Sequence, residues 1–411
     1  MASVNLIKNV DLNQVATGHS TSTTNEPTAA SFLDHAFMTG NNFCSHSSDG
    51  GETWTFVDPH REFPDSAGGF GDPKVLHDRM RNLWILVFQS DDINGANFFC
   101  LAVSTSGSPG PGNWTSWVFT PDQFDSTWAT HVMFDRPDIA TSNNNLYLTY
   151  TVARDRTPFG SLVIKFPLRH LANLNPASIF YFTEHGALCL TRGATTDMYF
   201  MAANTENPLT IFRLPDAEDA VMTSFRVSPR GEWAGSLTGG SFSSPGPGGA
   251  EWLAQLDSRP MAGWITGSRV GFLWSALPTN ARPQPWLKAM VVDTNTQAVV
   301  LEPDIFTLEV AWAYPSTFPN VNGRVGISLF YGGGGVKHPV HVVGFLEGVN
   351  WVFAATRAST HEPFTGRWGD YCGCETHHPD ATEWVAAGYT LQGGSSLNAV
   401  EPVYARFGVG P

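Results

Sequence analysis

Short runs of β-branched and aromatic residues recur along the chain, broken by Gly, Pro, Asn and Asp, and helical periodicity is scarce. Runs of this kind, bounded by turn residues, predict strands. They group into a repeating unit: a small-residue strand, a tight turn, a hydrophobic strand, a polar loop, then one or two more strands. The first unit reads EPTAAS, HAFMTGN, NFCSHSS and TWTFVDP over 26–59, and the second DPKVLHD, NLWILVFQS, FFCLAVSTS and TSWVFTP over 72–121. Five more follow, opening at RPDIATS, ALCLTRGAT, MAGWITG, AWAYPSTF and GDYCGCETHH.

The seventh unit is one strand short, and the apolar stretch VNLIKNVDL at 4–12 belongs to no other unit. It can supply the missing strand and close a ring, which removes exposed sheet edges. The pattern therefore predicts an all-β, seven-bladed β-propeller forming a single domain over 1–411. Six blades is the alternative, because the fourth and fifth units are the least distinct. Two stretches rich in Gly, Pro and Ser, Ser106–Asn113 and Gly239–Gly249, read as loops, since strand-like sequence resumes on either side.

Composition narrows the function. The 411 residues include 23 Lys+Arg against 37 Asp+Glu, a net charge of −14. That acid excess argues against binding a phosphate backbone over a broad surface, so no nucleic-acid partner is expected. No run of about 18 apolar residues occurs, so no membrane span is expected. The start, MASVNLIKNVDLNQ, lacks the pattern of a signal peptide, which implies an intracellular protein unless a leader is missing. Five scattered cysteines make no disulfide framework. A monomer is expected.

Residues Ser47-Ser48-Asp49-Gly50-Gly51-Glu52-Thr53-Trp54 match the pattern Ser-x-Asp-x-Gly-x-x-Trp. This is the Asp box, and the chain resembles the BNR, sialidase-like propellers, many of which have no assigned activity. Asn25-Glu26-Pro27, Phe70-Gly71-Asp72-Pro73, Asp135-Arg136-Pro137-Asp138 and Arg367-Trp368-Gly369-Asp370-Tyr371 are similar to segments at inner-strand entrances in such proteins. The resemblance implies a carbohydrate-active propeller with its site in the central funnel. In the family the Asp box is a hairpin turn between outer strands, away from the site. The Phe/Tyr-Arg-Ile-Pro segment that sialidases carry near the first blade is absent.

Polar groups at the inner-strand entrances would converge on that funnel. Arg136, Arg259 and Arg367 would resemble the sialidase arginine cluster that holds an anionic sugar; alternatively each pins a loop through Asp135, Asp257 or Asp370. Glycoside hydrolysis needs two carboxyl groups in different roles. Asp72 with Glu26, and Asp370 with Tyr371, are the candidates, the tyrosine as nucleophile or as proton shuttle in uronate elimination. His131 is a candidate base, and His338, after the Gly332–Gly335 run, a substrate contact beside Lys337. Alternatively these carboxyls and histidines only organise their loops. Cys372 and Cys374 share a strand face too widely spaced for one zinc and read as packed thiols. No cofactor is required, although Asp, Asn and carbonyl groups in the channel leave room for a calcium ion.

The enzyme reading is a glycoside hydrolase or uronate lyase acting on an anionic glycan. A non-catalytic glycan- or protein-binding propeller is the alternative, supported by 14 Trp. A third is an enzyme for a small metabolite.

Overall fold

The computed structural model describes residues 2–64, 69–93, 96–205, 207–393 and 399–411. It is an all-β propeller. The strands alternate too regularly for helices to compete, and among the described residues the α-helices are the short Pro59–Glu62 and Leu168–Ala172, with 3-10 turns at Pro121–Gln123 and Ser126–Trp128. The first is capped by Asp58, whose carboxylate accepts from the His60 amide.

Five blades are separate four-stranded antiparallel sheets. One contains β6 (Gly71–Asp78), β7 (Leu83–Ile93), β8 (Ala96–Ser104) and β9 (Thr115–Phe119); the next contains β10 (Val132–Thr141), β11 (Asn145–Arg154), β12 (Thr157–Pro167) and β13 (Ile179–Thr183). The third holds β14 (Leu188–Leu190), β15 (Asp197–Ala202), β16 (Leu209–Pro215) and β17 (Thr223–Val227). The fourth holds β18 (Pro260–Thr266), β19 (Arg269–Ala276), β20 (Trp286–Asp293) and β21 (Ala298–Leu301). The fifth holds β22 (Ala311–Pro319), β23 (Val325–Gly333), β24 (Lys337–Glu347) and β25 (Asn350–Ala358).

The remaining strands are β1 (Val4–Asp11), β2 (Thr28–Phe32), β3 (His35–Gly40), β4 (Phe43–Ser47), β5 (Thr55–Val57), β26 (Gly373–His378), β27 (Trp384–Leu391) and β28 (Val400–Val409). They form one eight-stranded sheet in the order β1-β28-β27-β26-β2-β3-β4-β5. This corrects the expectation of seven separate blades, and the six-blade alternative with it: five blades stand alone, and the first and last units of the sequence merge. The merger runs through β2 and β26, parallel neighbours with Ser31 opposite His377 and Phe32 opposite His378. Small residues permit the approach; a Cβ on Gly373 would sit 2.9 Å from the Thr28 Cα. At the outer edge β1 pairs antiparallel with β28, Val4 opposite Val409.

The core lies between blades. Second strands such as β11 are buried on both faces for nearly their whole length, and their sequence mixes Leu, Tyr and Val with buried Thr. The Ser47–Trp54 turn joins β4 to β5. The Ser47 hydroxyl accepts from the Gly51 amide at 2.8 Å, Asp49 accepts from the Thr53 amide at 2.9 Å, and the Trp54 indole donates to the Gly51 carbonyl. Gly51 has φ +91°, and a Cβ there would strike the Tyr404 ring at 2.6 Å.

Candidate active site

Four inner strands enter the channel through one backbone device. Glu26, Asp72, Arg136 and Tyr314 all have positive φ, between 49° and 56°, and each precedes a proline. Left-handed backbone at a bulky residue costs on the order of 1–3 kcal/mol and is retained where surrounding structure enforces it. At Asp72, Arg136 and Tyr314 the strand register slips, between Gly71 and Lys74, Asp135 and Asp138, and Ala313 and Ser316. Such bulges turn a side chain out of the blade's in-and-out alternation. Here they aim polar groups at the channel mouth.

The first cluster is acidic. Asp72 is hydrogen-bonded to Glu26, and Asn41 holds both: its side-chain amide donates to Glu26 at 2.9 Å and its carbonyl accepts from the Asp72 backbone at 2.8 Å. The other Glu26 oxygen accepts from the Asp370 amide at 2.8 Å. Burial, then the Glu26 carboxylate, holds the Asp72 carboxyl well above the usual range.

The second cluster is an ion-pair network. Asp257 receives Arg259 at 2.8 Å and Arg136 at 3.4 Å; Asp370 receives Arg259 at 3.0 Å and Arg136 at 3.7 Å. Arg259 is 5% exposed and Arg136 28%. Burial works to raise the Asp370 carboxyl, but Arg259 and Arg136 outweigh it and hold it below the ordinary carboxylate range. Asp135, half-exposed at the rim, lies 3.7 Å from Arg136. The segment 228–259, which includes the Gly239–Gly249 loop, brings Asp257 and Arg259 here. It folds over the mouth with Trp252 packed on Trp368 at 5.8 Å, and Leu253 bridges Arg367.

Deeper in the channel lie residues that the sequence reading did not single out. Arg192 reaches Asp138 at 2.5 Å and Glu375 at 3.9 Å. Burial brings Lys74 down to about 8 despite Asp138, and pushes Glu375 up to about 8 despite Arg192. The Lys74 ammonium sits 3.3 Å from the centre of the Tyr371 ring. Burial, with Asp72 and Asp370 nearby, drives the Tyr371 hydroxyl well above its usual range. A larger cavity of about 400 Å3 opens at strand ends bearing His77, Asn143, Thr195 and His378, and holds none of the acidic cluster.

Structure thus gathers Glu26, Asp72, Asp135, Arg136, Arg259, Asp370 and Tyr371. Three expected residues stand apart. Arg367 is exposed, bridged through its backbone to Leu253, and Arg192 is the third arginine of the channel instead. His131 is exposed and pairs with Asp155 at 3.1 Å. His338 pairs with the buried Glu362 at 2.5 Å. The Cys372 thiol donates to the Tyr314 carbonyl at 3.0 Å, a packed position. Among the described residues no group of three or more His, Cys, Asp or Glu side chains is arranged to hold a metal ion. No described helix is long and apolar enough to cross a membrane.

No protein-family model and no curated protein matches the chain. Solved structures of similar shape exist. A GH93 alpha-L-arabinofuranosidase of Fusarium graminearum has 9% identity and a TM-score of 0.47, with 98% of this chain and 97% of that one covered. A Penicillium chrysogenum alpha-L-arabinanase has 8% identity and a TM-score of 0.45, covering 98% of both chains. A leech intramolecular trans-sialidase has 10% identity and a TM-score of 0.43, covering 79% and 67%. Likeness at this level carries no argument about what this chain does; that rests on the site.

Proposed function

We propose that the entrance cluster hydrolyses a glycosidic bond. The observation that carries this is the contrast in surroundings of two carboxyls at one mouth: Asp72 is buried against the Glu26 carboxyl, which raises it, whereas Asp370 faces Arg259 at 3.0 Å and Arg136 at 3.7 Å, which lower it. Environments that push two carboxyls apart assign one as acid and the other as base or nucleophile. Asp72 would protonate the departing sugar oxygen. Asp370 would act on water or on the anomeric carbon. Asp72 would regain its proton from the incoming water or from solvent, and Glu26, hydrogen-bonded to the Asp72 carboxyl and to the Asp370 main-chain amide, would hold the pair in register.

Arg259 is committed to Asp257 and Asp370, whereas Arg136 has the longer pairings and the greater exposure. Arg136 is therefore the residue to receive an acidic substituent, which favours an anionic glycan. Elimination would use Tyr371 as the base. Its hydroxyl is held protonated by burial and by two neighbouring carboxyls, which favours hydrolysis.

The test is mass analysis of products after incubation with arabinan, sialylated and uronate-containing glycans. A product heavier by one water supports the proposal. An unsaturated uronate would replace it with elimination. Retention on a glycan array without product would make the protein a binding module.

A further inference from the structure

Below the acidic cluster the channel holds a small cavity of about 40 Å3, bordered by Lys74, Arg136, Thr151, Arg192, Arg259 and Tyr371 among others. A site of this size takes one or two waters or a monatomic ion and no sugar ring. Its lining is short of acceptors. Among the described residues, Arg136 Nε and Arg192 Nε and Nη1 are buried guanidinium donors without a hydrogen-bond partner, the hydroxyls of Thr151 and Tyr371 are buried and unpartnered as well, and Arg259 Nη2 meets Asp370 Oδ1 at 3.0 Å. Arg192 is 8% and Arg259 5% exposed. Buried polar atoms are almost always satisfied, so a cluster of unmatched donors around one void points to an acceptor within it.

Charge agrees. Four cationic side chains border the cavity, from four successive blades, and Asp138 and Asp370 are the bordering carboxylates. Asp257 neutralises part of Arg259 and Arg136 from behind. Glu375, on the far side of Arg192, is mostly protonated at neutral pH because burial raises it to about 8. Water would fill the space but would bring two donors of its own into a donor-rich wall. We infer that the cavity binds a monatomic monovalent anion, chloride in practice, which ties the inner strands of four blades together beneath the candidate active site.

The experiment uses the whole protein and reads binding, not turnover, so it stands or falls separately from the hydrolase proposal. Thermal unfolding is followed at constant ionic strength while sodium chloride or bromide replaces sodium acetate. The expected result is a saturable, halide-specific rise in Tm, lost in Arg192→Met and partly kept in Arg192→Lys. Crystals of the unaltered protein soaked in bromide should show an anomalous peak between Arg192 and Arg259, which decides the matter should Arg192→Met fail to fold. A Tm unchanged when halide replaces acetate, with no bromide peak in the cavity, would overturn the inference.

Discussion

Asp72 is hydrogen-bonded to Glu26, and Asn41 holds both residues at the mouth of the channel, where burial and the neighbouring carboxyl raise Asp72 well above the usual range. The neighbouring Asp370 is shifted the opposite way because two arginines face it. Glu26 links the two through the Asp370 amide.

This geometry makes Asp72 the residue whose loss matters most. Asp72→Asn keeps the size and a donor toward Glu26 but has no proton to deliver. Turnover on whichever glycan is hydrolysed should fall by about 10²–10⁴-fold, the usual worth of general acid catalysis. Tm should hold or rise, since the neutral amide suits a site that already disfavours a charge. Unchanged turnover would remove Asp72 from the chemistry.

The pH dependence follows from the same pair. Asp370 has a lowered value, so its ionised form survives to unusually acidic pH, and the acid limb of kcat/KM should lie below the ordinary carboxylate range near 4. Asp72 has a raised value, so activity should be lost on the basic side, as pH rises through it. Stability has matching signs. The Asp72 contribution is present below its unfolded-state value and is lost as pH rises through the folded one. The Asp370 contribution is present above its unfolded-state value and is lost as pH falls through the folded one. A rate profile and a urea stability series over pH check both.

Arg259→Met should be costly. It leaves Asp257 without its 2.8 Å partner inside the protein and removes one of the two cations facing Asp370. Breaking a buried pair from one side typically costs about 3–5 kcal/mol. Urea unfolding should show that loss, and in a folded sample the acid limb should move upward as the Asp370 carboxyl rises.

Asn41→Ala separates positioning from chemistry. It removes the amide that binds Glu26 and the acceptor for the Asp72 backbone. Unmatched groups of this kind cost about 1–3 kcal/mol each. The expected signature is a lower kcat with KM little changed and a shifted basic limb. A loss of stability with an unchanged pH profile would assign Asn41 a structural role only.

Arg367→Ala is the contrasting case. Its side chain is exposed and outside the cluster, so stability should change by no more than about 0.5 kcal/mol. Turnover should be retained.

What the sequence exposes and hides has physical causes. Strands are legible because alternation and turn residues recur with each hairpin. The X-Pro entrances are legible too, and Glu26, Asp72 and Arg136 all sit in them. Arg192 follows a three-residue strand with no proline beside it, and Glu375 is hidden between the buried Cys374 and Thr376. Asn41 is a turn residue whose role depends on contacts with two other segments. Arg367 shares a motif with Asp370 and Tyr371, but the left-handed Gly369, with φ +128°, redirects the chain between them. The merger of the first and last units depends on two inner strands pairing across 346 residues of separation, Ser31 with His377, which no local pattern encodes.

The central claim is the split protonation of Asp72 and Asp370, and titration of aspartate carboxyl carbons by NMR reads it directly. Samples labelled at the aspartate side-chain carboxyl are compared with Asp72→Asn and Asp370→Asn to assign the two signals. One resonance, lost in Asp72→Asn, should titrate well above the usual carboxylate range. The other, lost in Asp370→Asn, should titrate below it. Two ordinary titrations near the free aspartate value of about 3.9 would contradict the account.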